Sequence, residues 1–471
     1  MSCARLCSAA CGLMAADPGR PAPLHEDVAD PGSLSPFGDE IEPGNPSGWP
    51  GYPGQIERTR KATGTRHAVT TGFATAGGEP CVLIGFDFAF LGGSMGSAEG
   101  ARIARAFSVA ITQRLPVVAV AASGGSRMQE GTSALVQMQA VAAAVATARR
   151  AGIPHVGVAG DPTTGGVWSS LIAGADVLIG VPGARVSFSG SRTRPAGADP
   201  RSGGYLAEGL WEHGLLDVLS PAHRLRAEVG AALRLLSPRT RGKAAQPAPL
   251  PAWPDSDSAE PRGSGDAWAQ VSGARNAARD RADRWLAGYF GQTFEIHGDR
   301  CGGLDSGLRC GFGSHRGATI AYVAQTGQRT TPAGFRTATR LITLASRLAL
   351  PVLTLIDTPG AAAGPRDEAA GLGAAIAELF VTVAASQVPI RSVVIGEGVS
   401  GGALALASRA DLWIARDAYL AVTAPELAAS ILKRPGCEVP ELATWLRLTP
   451  GDLLSRGIVR GIIGPPAASA G

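Results

Sequence analysis

Leu115-Pro116-Val-Val-Ala-Val-Ala-Ala-Ser123-Gly124-Gly125 decides the fold, because the chain writes it again as Leu350-Pro351-Val-Leu-Thr-Leu-Ile-Asp357-Thr358-Pro359-Gly360. The repeat continues outward. Ile153-Pro154 leads into a strand, then Thr164-Gly165-Gly166, then Ala175-Asp176. The second copy has Val388-Pro389, a strand, Ser400-Gly401-Gly402 and Ala410-Asp411. Pro116 and Pro351, Pro154 and Pro389, and Asp176 and Asp411 are each 235 positions apart, and the Gly-Gly pairs 236. An internal duplication of this length predicts two tandem domains of one architecture. Val117–Ala122 and Val156–Ala159 are short and wholly apolar, as in a sheet buried on both faces. Helical periodicity covers 97–114 and about 127–151 in the first copy, and 333–348 and 367–386 in the second. Strands are expected at 318–325, 352–356 and 392–396. Short strands alternating with helices predict an α/β fold with largely parallel pairing.

The flanking segments differ in composition. Residues 1–55 are rich in Pro, Gly, Ser and acid without apolar period, and read as a disordered tail. Residues 237–275 read as a Pro/Ser-rich linker. The domains are therefore expected at 56–236 and 276–471.

A hydrophobic content of 45% with 17% charged residues suits a soluble globular protein. The net charge of +4 rests on scattered arginines, with only three lysines, so no nucleic-acid footprint is expected. Seven cysteines form no paired framework, which fits a reducing cytoplasm. Cys3, Cys7 and Cys11 recur every fourth residue but lack a fourth ligand for zinc. No stretch offers about 20 strongly apolar residues, so no membrane span is expected. Gly-Lys-Ser/Thr and His-Glu-x-x-His are absent, which removes P-loop nucleotide hydrolysis and zinc hydrolysis.

What remains is backbone chemistry. Gly165-Gly166 and Gly401-Gly402 each follow a buried strand and precede a helix. Such a turn presents unpaired N–H groups where the helix dipole favours negative charge. That is an oxyanion hole made without side chains. The competing reading is a tight strand-to-helix turn and nothing more.

At these positions the residues resemble a known family. Phe88-Ala-Phe-Leu-Gly92-Gly93-Ser94-Met95-Gly96-Ser97, Ser123-Gly124-Gly125-Ser126-Arg127-Met128-Gln129-Glu130-Gly131 and Asp161-Pro162-Thr163-Thr164-Gly165-Gly166 resemble the β subunit of bacterial acetyl-CoA carboxylase carboxyltransferase. Phe294-Glu-Ile-His297-Gly298-Asp299-Arg300, Ile356-Asp357-Thr358-Pro359-Gly360-Ala361 and Ile395-Gly396-Glu397-Gly398-Val399-Ser400-Gly401-Gly402-Ala403 resemble its α subunit.

The resemblance implies two tandem crotonase-like domains and transfer of CO2 from carboxybiotin to an acyl-CoA. It implies that Gly165 and Gly166 hold the thioester oxygen. Gly401, Gly402 and Ala403 would serve the biotin ureido oxygen. Gly92, Gly93, Gly124 and Gly125 would line the CoA side. Arg127 would meet a phosphate or carboxylate there, or else a structural acid such as Glu130. His297 and Asp299-Arg300 read as a structural turn, Asp357 as a turn cap, and Glu397 as support for the second Gly-Gly turn.

No lysine sits in a biotin-attachment context and no ATP-binding domain is present. A biotin carboxyl carrier protein and a biotin carboxylase are therefore expected as separate partners, with a homodimer or larger assembly completing the site. The family's β subunit usually carries a zinc ribbon. This chain has no such Cys pairs, so no zinc is expected. The short 325–334 stretch and the altered 361–364 loop also depart from the family. They leave open a decarboxylase or an inactive scaffold.

Overall fold

A computed structural model describes residues 22–190, 199, 202–237, 245–254 and 266–465. The first sheet contains β1 (Ser35–Pro36), β2 (Val69–Ala76), β3 (Glu79–Phe86), β4 (Val117–Ser123), β5 (His155–Thr164), β6 (Val177–Gly180), β7 (Val186–Ser187) and β8 (Val218–Leu219). The second contains β9 (Gln292–Ile296), β10 (Leu308–His315), β11 (Ala318–Gln325), β12 (Val352–Thr358), β13 (Ile390–Val399), β14 (Leu412–Ala415), β15 (Tyr419–Ala421) and β16 (Ile462–Ile463). The strand orders are β1-β2-β3-β4-β5-β6-β8 and β9-β10-β11-β12-β13-β14-β16, with β7 beside β5 and β15 beside β13. In each, one edge is antiparallel and the body from β3 or β11 onward is parallel.

The duplication is kept residue by residue. β4, β5 and β6 match β12, β13 and β14 at the offset of 235, whereas β2 and β3 match β10 and β11 at 239. The difference of four lies in the loop after β3, which is longer than the loop after β11. β4 and β12 are buried along their whole length, as strands covered on both faces require.

The two long helix expectations break where the backbone demands it. Residues 127–151 form a short turn at Met128–Glu130 and helices Thr132–Leu135 and Gln137–Arg150, with Gly131 at φ +54°. Residues 367–386 split into Pro365–Ala369 and Leu372–Ala384 at Gly371, φ +83°.

Two segment expectations need correction. Residues 22–55 are not a tail. The helix His25–Val28 and β1 pack on the first sheet, and Asp30 accepts from Thr75 Oγ1 at 2.6 Å, Gly77 N at 3.0 Å and Gly78 N at 2.9 Å. Residues 1–21, with the three early cysteines, lie outside the described part.

Residues 238–244 and 255–265 of the expected linker lie outside the described part, but its described stretches pack. Ala248 is fully buried, Tyr289 donates to Pro249 O at 2.9 Å, and the Trp253 and Trp285 rings meet at 5.8 Å. Helix Ala267–Ala274 follows, capped by Asp266. Composition misleads here because a few anchors and bonds to backbone carbonyls hold these stretches, rather than an apolar stripe.

One hydrophobic core runs through both halves. Asp217, fully buried in the first half, receives Leu178 N and, from the second half, His297 N, Arg300 and both Arg340 terminal nitrogens at 3.0 and 3.1 Å. Arg347 reaches Asp176 across the same boundary. Gly214 and Gly298 touch backbone to backbone, and Arg300 N donates to Gly214 O at 3.0 Å. No described helix is long and apolar enough to cross a membrane.

Burial alone would raise the Asp217 carboxyl, but Arg300 and Arg340 outweigh it and hold it at about 2. Asp217→Asn strands both arginines at the inter-half contact. It should lower unfolding stability at neutral pH by about 3–5 kcal/mol, read by urea denaturation.

His155 behaves oppositely. Burial pushes it down to about 4 against the raising effect of Asp176, so the folded protein refuses a proton that the unfolded chain takes near 6.5. Stability should be full above pH 6.5 and fall toward pH 4 by about 1.4 kcal/mol per unit from this group. His155→Leu should flatten that fall.

Candidate active site

In the first half three loops meet at the carboxyl ends of the parallel strands. β3 feeds Leu91–Gly93, β4 feeds Ser123–Gly125, and β5 runs straight into a short helix at Gly165. Gly124 N donates to Gly92 O at 2.9 Å, and Met95 N to Gly125 O at 2.8 Å. Ser123 Oγ donates to Gly93 O at 2.6 Å and accepts from Gly125 N at 3.1 Å. A Cβ on Gly93 would overlap Ala122 O, so glycine is required there. A Cβ on Gly125 would stand 3.5 Å from Gly165 Cα. The structure thus brings Gly92, Gly93, Gly124, Gly125, Gly165 and Gly166 together, as the sequence suggested.

The second half repeats this construction. Thr358 Oγ1 donates to Gln328 O at 2.7 Å and accepts from Gly360 N at 3.2 Å. Parallel bridges join Met95 to Ser126 and Thr330 to Ala361, again 235 apart. A Cβ on Gly402 would stand 2.6 Å from Ala361 N, so that turn lies against the Gly360–Ala361 loop. Gln325, fully buried, donates to Gly402 O and to Thr330 Oγ1, both at 3.0 Å.

The two turns equate in a register that the Gly-Gly pattern hides. Gly165, at φ +59°, matches Ser400, at φ +62°. Each left-handed residue turns the strand abruptly into a helix. The helix geometry then leaves the N–H groups of Gly166 and Val167, and of Gly401, Gly402 and Ala403, without intrahelical acceptors. Beside Gly401 a Cβ would meet nothing within 4 Å, which leaves room for a ligand atom. Gly398-Val399-Ser400-Gly401-Gly402 also spells the glycine spacing of a nucleophile elbow. Among the described hydrogen bonds, however, Ser400 has no histidine partner.

Arg127 takes the second of its two expected partners, a structural acid. It is fully buried, pairs with Glu99 at 2.9 Å and Glu130 at 3.7 Å, and donates to Ser94 Oγ at 3.1 Å and Tyr52 OH at 3.2 Å. Its reach is spent on these acids, so it clamps the loops. Glu99 also accepts from Gly96 N, and Glu130 from Ser97 N at 2.7 Å and Tyr52 OH at 2.8 Å. Both carboxylates thereby cap helix Ser97–Gln113 as well.

Asp357 is no simple turn cap. It is a buried ion-pair centre for Arg279 and Arg281 and accepts Glu397 N at 3.0 Å. Glu397 is held by Tyr419 OH at 2.8 Å and Arg275 Nε at 3.0 Å, three residues before Ser400. His297 stacks on Trp211 at 4.8 Å, and Asp299 accepts Cys301 N and Gly303 N, a structural turn. The sequence reading missed Tyr52, Glu99 and Gln325, which carry no local signal. It could have found Ser123 with Thr358, which stand at the repeat offset. Among the described residues no group of three or more His, Cys, Asp or Glu could hold a metal.

Residues 263–471 match the family described as acetyl co-enzyme A carboxylase carboxyltransferase-like, and residues 54–193 match the carboxyl transferase domain. The acetyl-coenzyme A carboxylase carboxyl transferase subunits beta/alpha of Salinispora tropica is 38% identical over 94% of this chain and 82% of that protein. The protein of the same name from Saccharopolyspora erythraea is 36% identical over 94% and 80%. Among solved structures, transcarboxylase 12S, a hexamer with hydrolysed methylmalonyl-coenzyme A bound, superposes with a TM-score of 0.76 at 20% identity, covering 94% of this chain and 86% of that one. A single-chain, multi-domain long-chain acyl-CoA carboxylase gives 0.72 at 20% identity, over 94% and 44%. These likenesses confirm the tandem crotonase-like fold. With its duplicated sheets and paired backbone turns, the chain belongs to the acetyl-CoA carboxylase carboxyltransferase family, a β-type and an α-type half fused in one polypeptide.

Proposed function

We propose that this carboxyltransferase moves the carboxyl group of carboxybiotin, delivered by a separate biotin carboxyl carrier protein charged by a biotin carboxylase, to the α-carbon of acetyl-CoA, giving malonyl-CoA in the cytoplasm. One observation carries this reading: two equivalent strand-to-helix turns, at Gly165 and Ser400, in a reaction with two oxyanions. The thioester oxygen gains charge as its α-carbon loses a proton, which would pass to the ureido nitrogen that the carboxyl leaves, so no protein base is required. The biotin group supplies the carboxyl, and its ureido oxygen gains charge as the carboxyl departs.

Gly166, with Val167 beside it, serves the first oxyanion; Gly165 does not, because its N–H donates to Phe188 O at 3.1 Å, and it turns the strand instead. Gly401, Gly402 and Ala403 serve the second, with Gln325 fixing the carbonyl of Gly402. Gly92, Gly93, Gly124 and Gly125 let the acyl-CoA approach the backbone. Main-chain donors need no reorientation as charge develops, which makes such holes effective.

We further propose that a second copy of the chain completes the site. Leu135, Val136 and Met128 in the first half, and Phe380 and Val381 in the second, expose apolar surface on or beside two helices that the duplication makes equivalent. An active, monodisperse monomer in light scattering would rule this out.

Purified protein with malonyl-CoA and free biotin tests the main reading. Biotin-dependent loss of malonyl-CoA supports transfer. Loss without biotin indicates a decarboxylase, and no loss from folded protein indicates a scaffold. Gly166→Val and Gly402→Val should each slow transfer by about 100-fold or more: a Cβ would press on Met138 and Ser126 Oγ at 3.0 Å or on Ala361 N at 2.6 Å and move the turn, and one misplaced donor costs about 10²–10³. Near-full activity in either variant would sink the two-hole assignment.

A further inference from the structure

The two halves clamp the same pair of loops with one arginine each, but from opposite sides. In the first half Arg127 stands on the loop after β4. Its N–H donates to Met95 O at 2.9 Å, and its guanidinium crosses to Ser94. In the second half the equivalent backbone bond runs from Ala362 N to Thr330 O, also 2.9 Å. The position 235 after Arg127 is Ala362, and the arginine has moved to the other loop as Arg329, the position equivalent to Ser94. Arg329 reaches back across the same gap and donates to Ala361 O at 3.2 Å.

The surroundings of the two cations differ in a way that sets their roles apart. Arg127 is fully buried and neutralised by Glu99 and Glu130. Arg329 is exposed, it donates to the neutral carbonyl of Ala361, and among the described residues no carboxylate lies within 4 Å of it. The guanidinium has five N–H donors in a fork that matches a carboxylate. Its location is specific as well. A Cβ on Gly360 would lie 3.6 Å from Arg329 Nη1, and the Gly402 turn packs on the neighbouring Ala361. The free charge therefore sits at the rim of the second backbone hole.

We propose that Arg329 binds the carboxylate in transit, the group carried in by carboxybiotin and carried out on the acyl-CoA product. The inference rests on the carboxyl-transfer reading and adds its anion-binding residue. Two properties of the second half support it. The loop after β11 sets Arg329 on the Gly360 turn, and the absence of a nearby acid among the described residues leaves its charge for a ligand. The carboxylate of N-carboxybiotin is attached beside the ureido carbonyl, so a hole that holds the ureido oxygen places the carboxylate within reach of this rim.

Calorimetric titration of the full chain with malonyl-CoA and with acetyl-CoA decides the matter, because the two ligands differ only by the carboxylate. Arg329→Gln should weaken malonyl-CoA by about 10–100-fold, the range for a hydrogen bond to a charged group, and leave acetyl-CoA within twofold. Arg329→Lys should recover part of the loss. The KM for malonyl-CoA in the biotin-dependent assay should rise in parallel with little change in kcat.

Equal weakening of both ligands would overturn the proposal, since the arginine would then serve a CoA phosphate or the loop itself. Unchanged malonyl-CoA affinity would overturn it too. Calorimetry needs no turnover, so failure of the transfer reading and failure of carboxylate binding are separate results.

Discussion

A hydroxyl at the end of each central strand sets the geometry of the site. Ser123 closes β4 and Thr358 closes β12, and each side chain bridges the neighbouring loop and the glycine two residues on. The constraint is simple. Parallel strands end with unpaired backbone groups, and a buried unpaired group costs about 1–3 kcal/mol. A donor–acceptor hydroxyl satisfies one carbonyl and one N–H at once, and so fixes two loops against each other. The third loop, the strand-to-helix turn, then has only one place to lie. Both strand-to-helix turns follow from that arrangement.

Equivalent backbones are held by unlike charges. The first half buries Arg127 with Glu99, Glu130 and Tyr52. The second uses Asp357 and Glu397 with Arg275, Arg279 and Arg281 from the segment that precedes its sheet. Buried ion pairs add little net stability because desolvation offsets attraction, but breaking one is costly. Their effect here is to fix one loop arrangement among several. Each half recruits its clamp from a segment outside its sheet, Tyr52 in one case and Arg275 to Arg281 in the other. This explains why stretches that resemble a tail and a linker are ordered parts of the site.

The halves are also joined by charge. Asp217, Arg300 and Arg340 sit where Gly214 and Gly298 let two backbones touch. The hydrophobic core continues past this contact, so the two sheets form one body rather than two beads on a string.

The sequence by itself determined the duplication, the α/β class, most strand and helix spans, and the two Gly-Gly turns. Those features are local or periodic: buried strands are apolar runs, helices keep their spacing, and glycine marks backbone that no other residue can adopt. Only the tertiary structure decided that Gly165 equates with Ser400, because a serine can occupy the left-handed position that glycine advertises. Only it paired Arg127 with Glu99 and set Arg329 against Ala361, since such pairing depends on contacts between loops distant in sequence. The order of residues 22–55 and 245–254 was likewise decided there. Their cohesion comes from hydrogen bonds to partners far along the chain, and no composition or period records such partners.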